Sequence, residues 1–244
     1  MAELININDG LLKLGFCESG SLQPEPQDGK ADLCPLQTLA QKMESYIKEL
    51  RLFNSAYDLV NTDDRDEIIV NHIFDSLSAV PVILRLAKSL QTKKNKITIG
   101  DIGSGAGLPG IPLAAALPKT EFTLIERMSK RCAFLQNCAA ILDLKNVCIK
   151  NIEAERVQPE SLDIAVFRAF RPLDKKILST VMNTVVPGGF AAAYKAKKEK
   201  IAEEMRGLSD SIKDYSVEKL FVPYLTDAEG DKKRERNLVV IKKN

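Results

Sequence analysis

The chain has 244 residues, 45% of them apolar and 28% charged, and its 35 basic and 33 acidic side chains leave a net charge of only +2. That composition fits one medium-sized soluble domain with an appendage, and the charge balance excludes a blanket nucleic-acid-binding surface. With no run of eighteen apolar residues and a first segment MAELININDG that lacks basic and apolar blocks, neither a membrane-spanning helix nor a signal peptide is expected.

Residues 17–35, which include ESGSLQPEPQDGK, are rich in Gly, Pro and polar residues and read as a loop or mobile linker. From Leu36 the pattern changes: Leu36, Leu39, Ala40, Met43, Tyr46, Ile47, Leu50, Phe53 and Tyr57 recur at helical spacing. NTDDRDEIIVNHIF offers Thr62 or Asp63 as a cap for a helix from about Asp64, and SAVPVILRLAKSL reads as another helix with Pro81 near its start. After TKKNK the texture alternates. ITIGDIG, EFTLIE, VCIK, LDIAVF and FAAAYKA read as strands. GIPLAAAL, SKRCAFLQNCAAILD, LDKKILSTVMNTV and KKEKIAEEMRGL read as helices. SVEKLFVPYL and NLVVIKK are strands with no helix between them. The alternation predicts a mostly parallel sheet covered on both faces, closed by an antiparallel hairpin.

The densest chemical signal is IGDIGSGAGLPGIP, residues 99–112, in which four glycines follow a strand and precede a helix. In an open parallel sheet this is the ligand end, where glycine permits a tight turn and a close ligand approach, and the helix start offers free N–H groups. Gly105, Gly107 and Gly110 satisfy GxGxxG, the dinucleotide pattern; Gly103, Gly105 and Gly107 satisfy GxGxG, the S-adenosylmethionine pattern. Glu126 ends the next strand, where a carboxylate accepts ribose hydroxyls in either class. No GKS or GKT follows, which excludes a phosphate-gripping P-loop. The terminal hairpin favours the methyltransferase sheet over a dehydrogenase, which would continue into a substrate domain.

Cys17, Cys34, Cys132, Cys138 and Cys148 form no CxxC pair and the chain has one histidine, so a zinc site is not expected and the thiols read as reduced, in a cytoplasmic protein. Basic residues cluster at Lys195, Lys197, Lys198 and Lys200, and again at Lys232, Lys233, Arg234 and Arg236. Such clusters are candidate phosphate contacts.

NHIFDSL (71–77), DIGSGAGLPGIPLA (101–114), ERMSKRCAFL (126–135), FRAF (167–170), AYKAKK (193–198) and RERNLVVIKK (234–243) together resemble the 16S rRNA guanine-N7 methyltransferase G family, formerly called glucose-inhibited division protein B. FNSAYDLVN fits the segment ahead of them, and the resemblance runs from about Tyr46 to Lys243. It implies a Rossmann-like α/β methyltransferase fold, a mostly parallel seven-stranded sheet with an antiparallel C-terminal hairpin behind an N-terminal helical extension. The expected divisions are a variable segment 1–35, a helical extension 36–95 and an S-adenosylmethionine-binding domain 96–244. The implied reaction is methylation of guanine N7 in the decoding-region loop of 16S rRNA, on the free RNA or on the small ribosomal subunit.

The same resemblance implies cofactor contacts at Gly103 and Leu108, an adenine border at Ala154 and Glu155, and a functional Arg168 from the RAF motif. The chain carries Asn237 where the family has a histidine, and Ala196 where it has a glycine. Gly105 and Glu126 join the cofactor set from their own positions. Arg168, after LDIAVF, stands at a strand end, where its fork can bind the methionine carboxylate or guanine O6. His72 matches a substrate-orienting position, and Asp75, one turn later, is placed to cap or hold it. Lys195, Lys197, Lys198 and Arg236 are the expected RNA contacts. No residue is assigned a catalytic acid, base or nucleophile, because guanine N7 offers a lone pair and no proton. A monomer is expected, with no metal and no membrane. Two alternatives stay open: a nicotinamide-linked dehydrogenase using the Gly105–Gly110 pattern, and a non-catalytic RNA-binding module that keeps the fold.

Overall fold

The computed structural model describes residues 4–23, 32–91, 96–168, 173–212, 214–226 and 234–244. Among them a seven-stranded sheet runs in the order β3-β2-β1-β4-β5-β7-β6. Its strands are β1 (Thr98–Ile102), β2 (Glu121–Glu126), β3 (Val147–Asn151), β4 (Leu162–Arg168), β5 (Val185–Lys195), β6 (Tyr215–Leu220) and β7 (Arg236–Lys242). β1 to β5 pair in parallel, and β7 inserts antiparallel between β5 and β6, as the hairpin reading required. The strand order reverses between β1 and β4, which opens a crevice at their carboxyl ends.

The central strands are mostly apolar because both faces are covered. Ile164 and Val166 of β4, Ala192 and Tyr194 of β5, and Leu238 and Val240 of β7 belong to one core. Their neighbours Ala165, Phe167, Ala191, Ala193, Val239 and Ile241 belong to the other. The first core is roofed by α1 (Ile7–Lys13), α2 (Leu36–Tyr57), α5 (Val80–Gln91), α6 (Gly110–Ala116) and α7 (Ser129–Ile141). The second lies under α8 (Lys175–Thr184) and α9 (Lys198–Gly207). α2 buries Leu36, Leu39, Ala40, Met43, Tyr46, Ile47 and Leu50, the stripe its periodicity predicts.

Four local features depart from the sequence reading. α1 was not anticipated; Asn6 caps it by accepting from the Asn8 N–H. Residues 17–23 and 32–35 are irregular, yet Ser21, Leu22, Leu33 and Cys34 are buried, and Phe16 and Leu22 pair as an antiparallel bridge. The two helices expected between Asp64 and Leu90 run almost end to end: α3 (Arg65–Ile68), a π-helical turn (Ile69–Phe74), α4 (Asp75–Leu77) and α5. Pro81 lies in the first turn of α5, where its missing N–H breaks no helical bond. β5 starts at Val185 rather than after Pro187-Gly188-Gly189; the pairing jumps from Leu162–Val185 to Ile164–Phe190, so these residues bulge out of the strand. Arg65–Leu90 is apolar and long enough to cross a membrane, but 67% of its apolar window is buried inside the protein, as in a core helix.

One buried contact ties the helical extension to the glycine loop. Tyr46 of α2 is fully buried, and its hydroxyl donates to the Ala106 carbonyl. Burial pushes the phenol well above its ordinary range, so it stays a donor. Tyr46→Phe keeps the packing and removes the donor, and is expected to cost ~1–3 kcal/mol in urea unfolding.

Candidate functional site

A cleft of about 490 Å³ opens at the carboxyl ends of β1, β2, β3 and β4. Its walls include Gly103–Ala106 and Leu108 after β1, Ile125–Met128 at the end of β2, Ile152–Glu155 after β3, and Arg168 at the end of β4. Leu59, Val60 and Asn61 close the side formed by the helical extension. Asn54 shapes that rim with its whole amide: its oxygen accepts from the Leu59 and Val60 N–H groups at 3.0 and 2.8 Å, and its nitrogen donates to Thr62 and Asp63. Arg131 of α7 donates to the Asp58 carbonyl at 2.7 Å and fastens the same loop from the other side.

Two glycines of the loop do different work. Gly105 has φ +56° and Gly107 φ +90°, both in the left-handed region. A Cβ on Gly107 would stand 2.6 Å from Ile111 Cγ1 and 2.8 Å from Leu135 Cδ2, so this glycine serves packing. A Cβ on Gly105 would meet nothing nearer than the Gly103 carbonyl at 3.9 Å, so this glycine leaves open space at the cleft wall. That space, bordered by a carboxylate, fits a nucleoside cofactor lying against bare backbone. The carboxylate is Glu126, 5% exposed, which accepts the Gly105 N–H at 2.9 Å on one oxygen and the Met128 N–H at 2.8 Å on the other. Each oxygen keeps a further lone pair for a ligand hydroxyl. Beneath the loop Asp101 accepts from the Gly110 N–H at 2.9 Å, and burial pushes its carboxyl up to about 7.

The inner end of the cleft is built on Arg168. One guanidinium nitrogen donates to Asp75 Oδ2 at 2.9 Å and to the Asn71 carbonyl at 3.1 Å, and the other meets His72 Nδ1 at 3.1 Å. Asp75, 4% exposed, also pairs through Oδ1 with the Arg236 guanidinium at 3.2 Å. The expectation that Asp75 holds His72 is corrected: Asp75 holds two arginines, and one of them holds the histidine. Burial, with Arg168 and Arg236 adding to it, lowers the His72 pKa from 6.5 to about 4. The ring is therefore neutral. Since a guanidinium only donates, Nδ1 accepts and the ring proton sits on Nε2.

Eight of the residues expected from sequence line this cleft: His72, Gly103, Gly105, Leu108, Glu126, Ala154, Glu155 and Arg168. Lys195, Lys197, Lys198 and Arg236 are outside its lining. Lys195 is paired with Glu204 of α9 at 2.7 Å, Lys197 and Lys198 are exposed at the start of α9, and Arg236 faces Asp75. Lys232, Lys233 and the second half of the FRAF motif lie outside the described residues. Lining residues that sequence reading missed include the Leu59–Asn61 rim, Met128, Arg131 and Ile152; FNSAYDLVN pointed toward the first of these.

Sheet order, glycine loop and acid after β2 define a Rossmann-like methyltransferase. Solved structures agree on the fold. A putative S-adenosyl-L-methionine-dependent methyltransferase from Methanococcus maripaludis superposes with a TM-score of 0.55 at 13% identity, covering 81% of this chain and 92% of that one. The tRNA (m1A58) methyltransferase of Aquifex aeolicus superposes with a TM-score of 0.51 at 16% identity, covering 70% and 68%. Residues 39–239 match the family model described as rRNA small subunit methyltransferase G. Proteins named ribosomal RNA small subunit methyltransferase G are 40% identical over 227 residues in Treponema denticola, covering 84% of this chain and 87% of that one, and 34% identical over 189 residues in Bordetella avium, covering 78% and 81%. The chain belongs to the rRNA small subunit methyltransferase G family.

Gly105→Ala should cost only ~1–2 kcal/mol of stability, the left-handed penalty, while lowering S-adenosylmethionine affinity at least about tenfold, because the methyl enters the cleft. Gly107→Ala should show the larger loss in urea unfolding, ~2–4 kcal/mol, since overpacking is added to the penalty. Calorimetric titration of both variants separates the two roles. His72 is the chain's one histidine, so its imidazole signal in proton NMR is unambiguous. It should titrate near 4, and Arg236→Leu should raise that midpoint by removing a nearby cation. NMR suits this better than a stability profile. Between pH 6.5 and 4 the unfolded chain binds a proton that folded His72 refuses, so its contribution falls on acidification; Asp101, protonated up to about 7, acts in the opposite direction.

Proposed function

We propose that this methyltransferase transfers a methyl group to N7 of one guanine in the decoding-region loop of 16S rRNA. S-adenosylmethionine, when bound, would supply an activated methyl on its sulfonium, with sulfur as the neutral leaving group. Every other task falls to the chain. Gly103 and Gly105 would give the cofactor a bare backbone wall with Leu108 beside it, Glu126 would accept its ribose hydroxyls, and Ala154 and Glu155 would border its adenine. Arg168 fixes the Asn71–Asp75 turn and so the inner end of the cleft. Holding acceptor, methyl carbon and sulfur in line is a proximity effect.

The observation that carries the cofactor half is the open Cβ direction at Gly105 beside the buried Glu126 carboxylate. For the acceptor, the state of His72 supports N7. The ring's basic nitrogen is occupied by Arg168, and the ring stays neutral. A site so arranged suits an acceptor with no proton to lose, and it keeps the imidazole from adding charge beside a guanine ring that becomes positive. Lys197 and Lys198, exposed at the start of α9, serve RNA phosphates, with Lys195 oriented by Glu204 and Arg236 by Asp75. The helical extension 36–95 supplies the rim and His72 to the domain 96–244, behind the segment 1–35. The protein works as a monomer in the cytoplasm.

The test uses labelled S-adenosylmethionine and small-subunit particles lacking the modification. A ring nitrogen that gains a fixed positive charge makes the base prone to ring opening and loss. Borohydride followed by aniline should then cut the enzyme-treated 16S rRNA at a single new guanine in the decoding-region loop. Label without such a cut would remove the N7 assignment while leaving the methyltransferase one intact.

A further inference from the structure

We propose that His72 recognises O6 of the target guanine through a preset Nε2–H donor, and that this contact makes the enzyme choose guanine over adenine. The inference rests on the guanine-N7 reading and adds the group that reads the base.

The donor is fixed by its surroundings. Arg168 lies 3.1 Å from His72 Nδ1 and can only donate, so Nδ1 is an acceptor and the single ring proton belongs to Nε2. The guanidinium cannot easily turn away, because its other terminal nitrogen is bound to Asp75 and to the Asn71 carbonyl. Asp75 is itself pinned by Arg236. His72 sits in the π-helical turn Ile69–Phe74, a helical irregularity that often accompanies function. Among the described residues Nε2 is buried and finds no hydrogen-bond partner. A buried donor without a partner is costly, and because His72 lines the cleft a ligand acceptor that reaches Nε2 would supply the missing bond.

Guanine presents two acceptors on the edge in question, N7 and O6. N7 must be left unbonded to receive a methyl, so O6 is the atom available for recognition. Adenine presents an amine at the same place, and an Nε2–H there would face a second donor. Neutrality of the ring completes the fit: it donates without placing a cation beside the base.

The experiment compares reconstituted small subunits carrying guanine, hypoxanthine or 2-aminopurine at the target position; hypoxanthine keeps O6 and 2-aminopurine lacks it. Wild-type kcat/KM should be within about threefold for guanine and hypoxanthine and at least about thirtyfold lower for 2-aminopurine, the scale set by an unpaired polar group in a built site. His72→Phe should close the gap between guanine and 2-aminopurine to within about threefold, by slowing guanine alone, with S-adenosylmethionine affinity within about twofold of wild type. His72→Gln, whose amide can again donate, should recover part of the preference. Equal wild-type rates on guanine and 2-aminopurine, with the N7 cut present, would overturn the His72 assignment alone. So would a His72→Phe variant that slows both purines equally, which marks a structural role. A loss of cofactor affinity in that variant would show that the donor serves the methionine carboxylate instead, and would overturn the assignment too. A guanine control that is labelled but not cut by borohydride and aniline would overturn the N7 reading, and this inference with it.

Discussion

A single carboxylate, Asp75, sits almost wholly out of water between two guanidiniums, Arg168 at the end of β4 and Arg236 at the start of β7. The arrangement joins three stretches of chain that share no local sequence. Removing one partner of such a buried pair costs ~3–5 kcal/mol, because the remaining charge is left uncompensated. Both strands therefore have a stake in the helical turn that carries Asp75. Tyr194 of β5 reinforces the same joint by donating to the Ser76 carbonyl at 2.8 Å. The inner end of the cleft is thus fixed by contacts to β4, β5 and β7 rather than by the turn itself.

The opposite end of the cleft is held from the helical extension. Tyr46 reaches the carbonyl of Ala106, and Asn54 gathers the Leu59–Thr62 backbone into a rim. The extension consequently lines the cleft, through Leu59, Val60, Asn61 and His72, as well as contributing to the core. The glycine loop lies between these anchors, with Gly107 packed and Gly105 open, so one short segment serves both stability and ligand approach.

The charge state of the site follows from the same packing. Two arginines and one aspartate leave an excess positive charge, and burial beside it keeps the only imidazole neutral. In the proposed reaction, which moves positive charge onto the base, a cationic imidazole would be unfavourable. Glu126, elsewhere in the cleft, has both oxygens braced by backbone N–H groups, so its carboxylate is preset in position.

Much of this was legible in the sequence. Alternating strands and helices gave the parallel sheet, the final helix-free pair gave the hairpin, and the glycines before an apolar helix located the cleft. These features are local: periodicity and turn chemistry are written within ten or fifteen residues. The resemblance carried by HIFDSL and GLPGIP named the family, and the match over residues 39–239 bears it out. What escaped was non-local. Arg168 and Asp75 are 93 positions apart, Lys195 and Glu204 meet only because α9 folds back on β5, and the π turn leaves the apolar spacing of its helix nearly undisturbed. Sequence showed that His72, Asp75, Arg168 and Arg236 were chemically interesting. Only the tertiary structure decided which carboxylate holds which arginine and which imidazole nitrogen keeps the proton, because ion pairs and hydrogen bonds are settled by distance in space and not by distance along the chain.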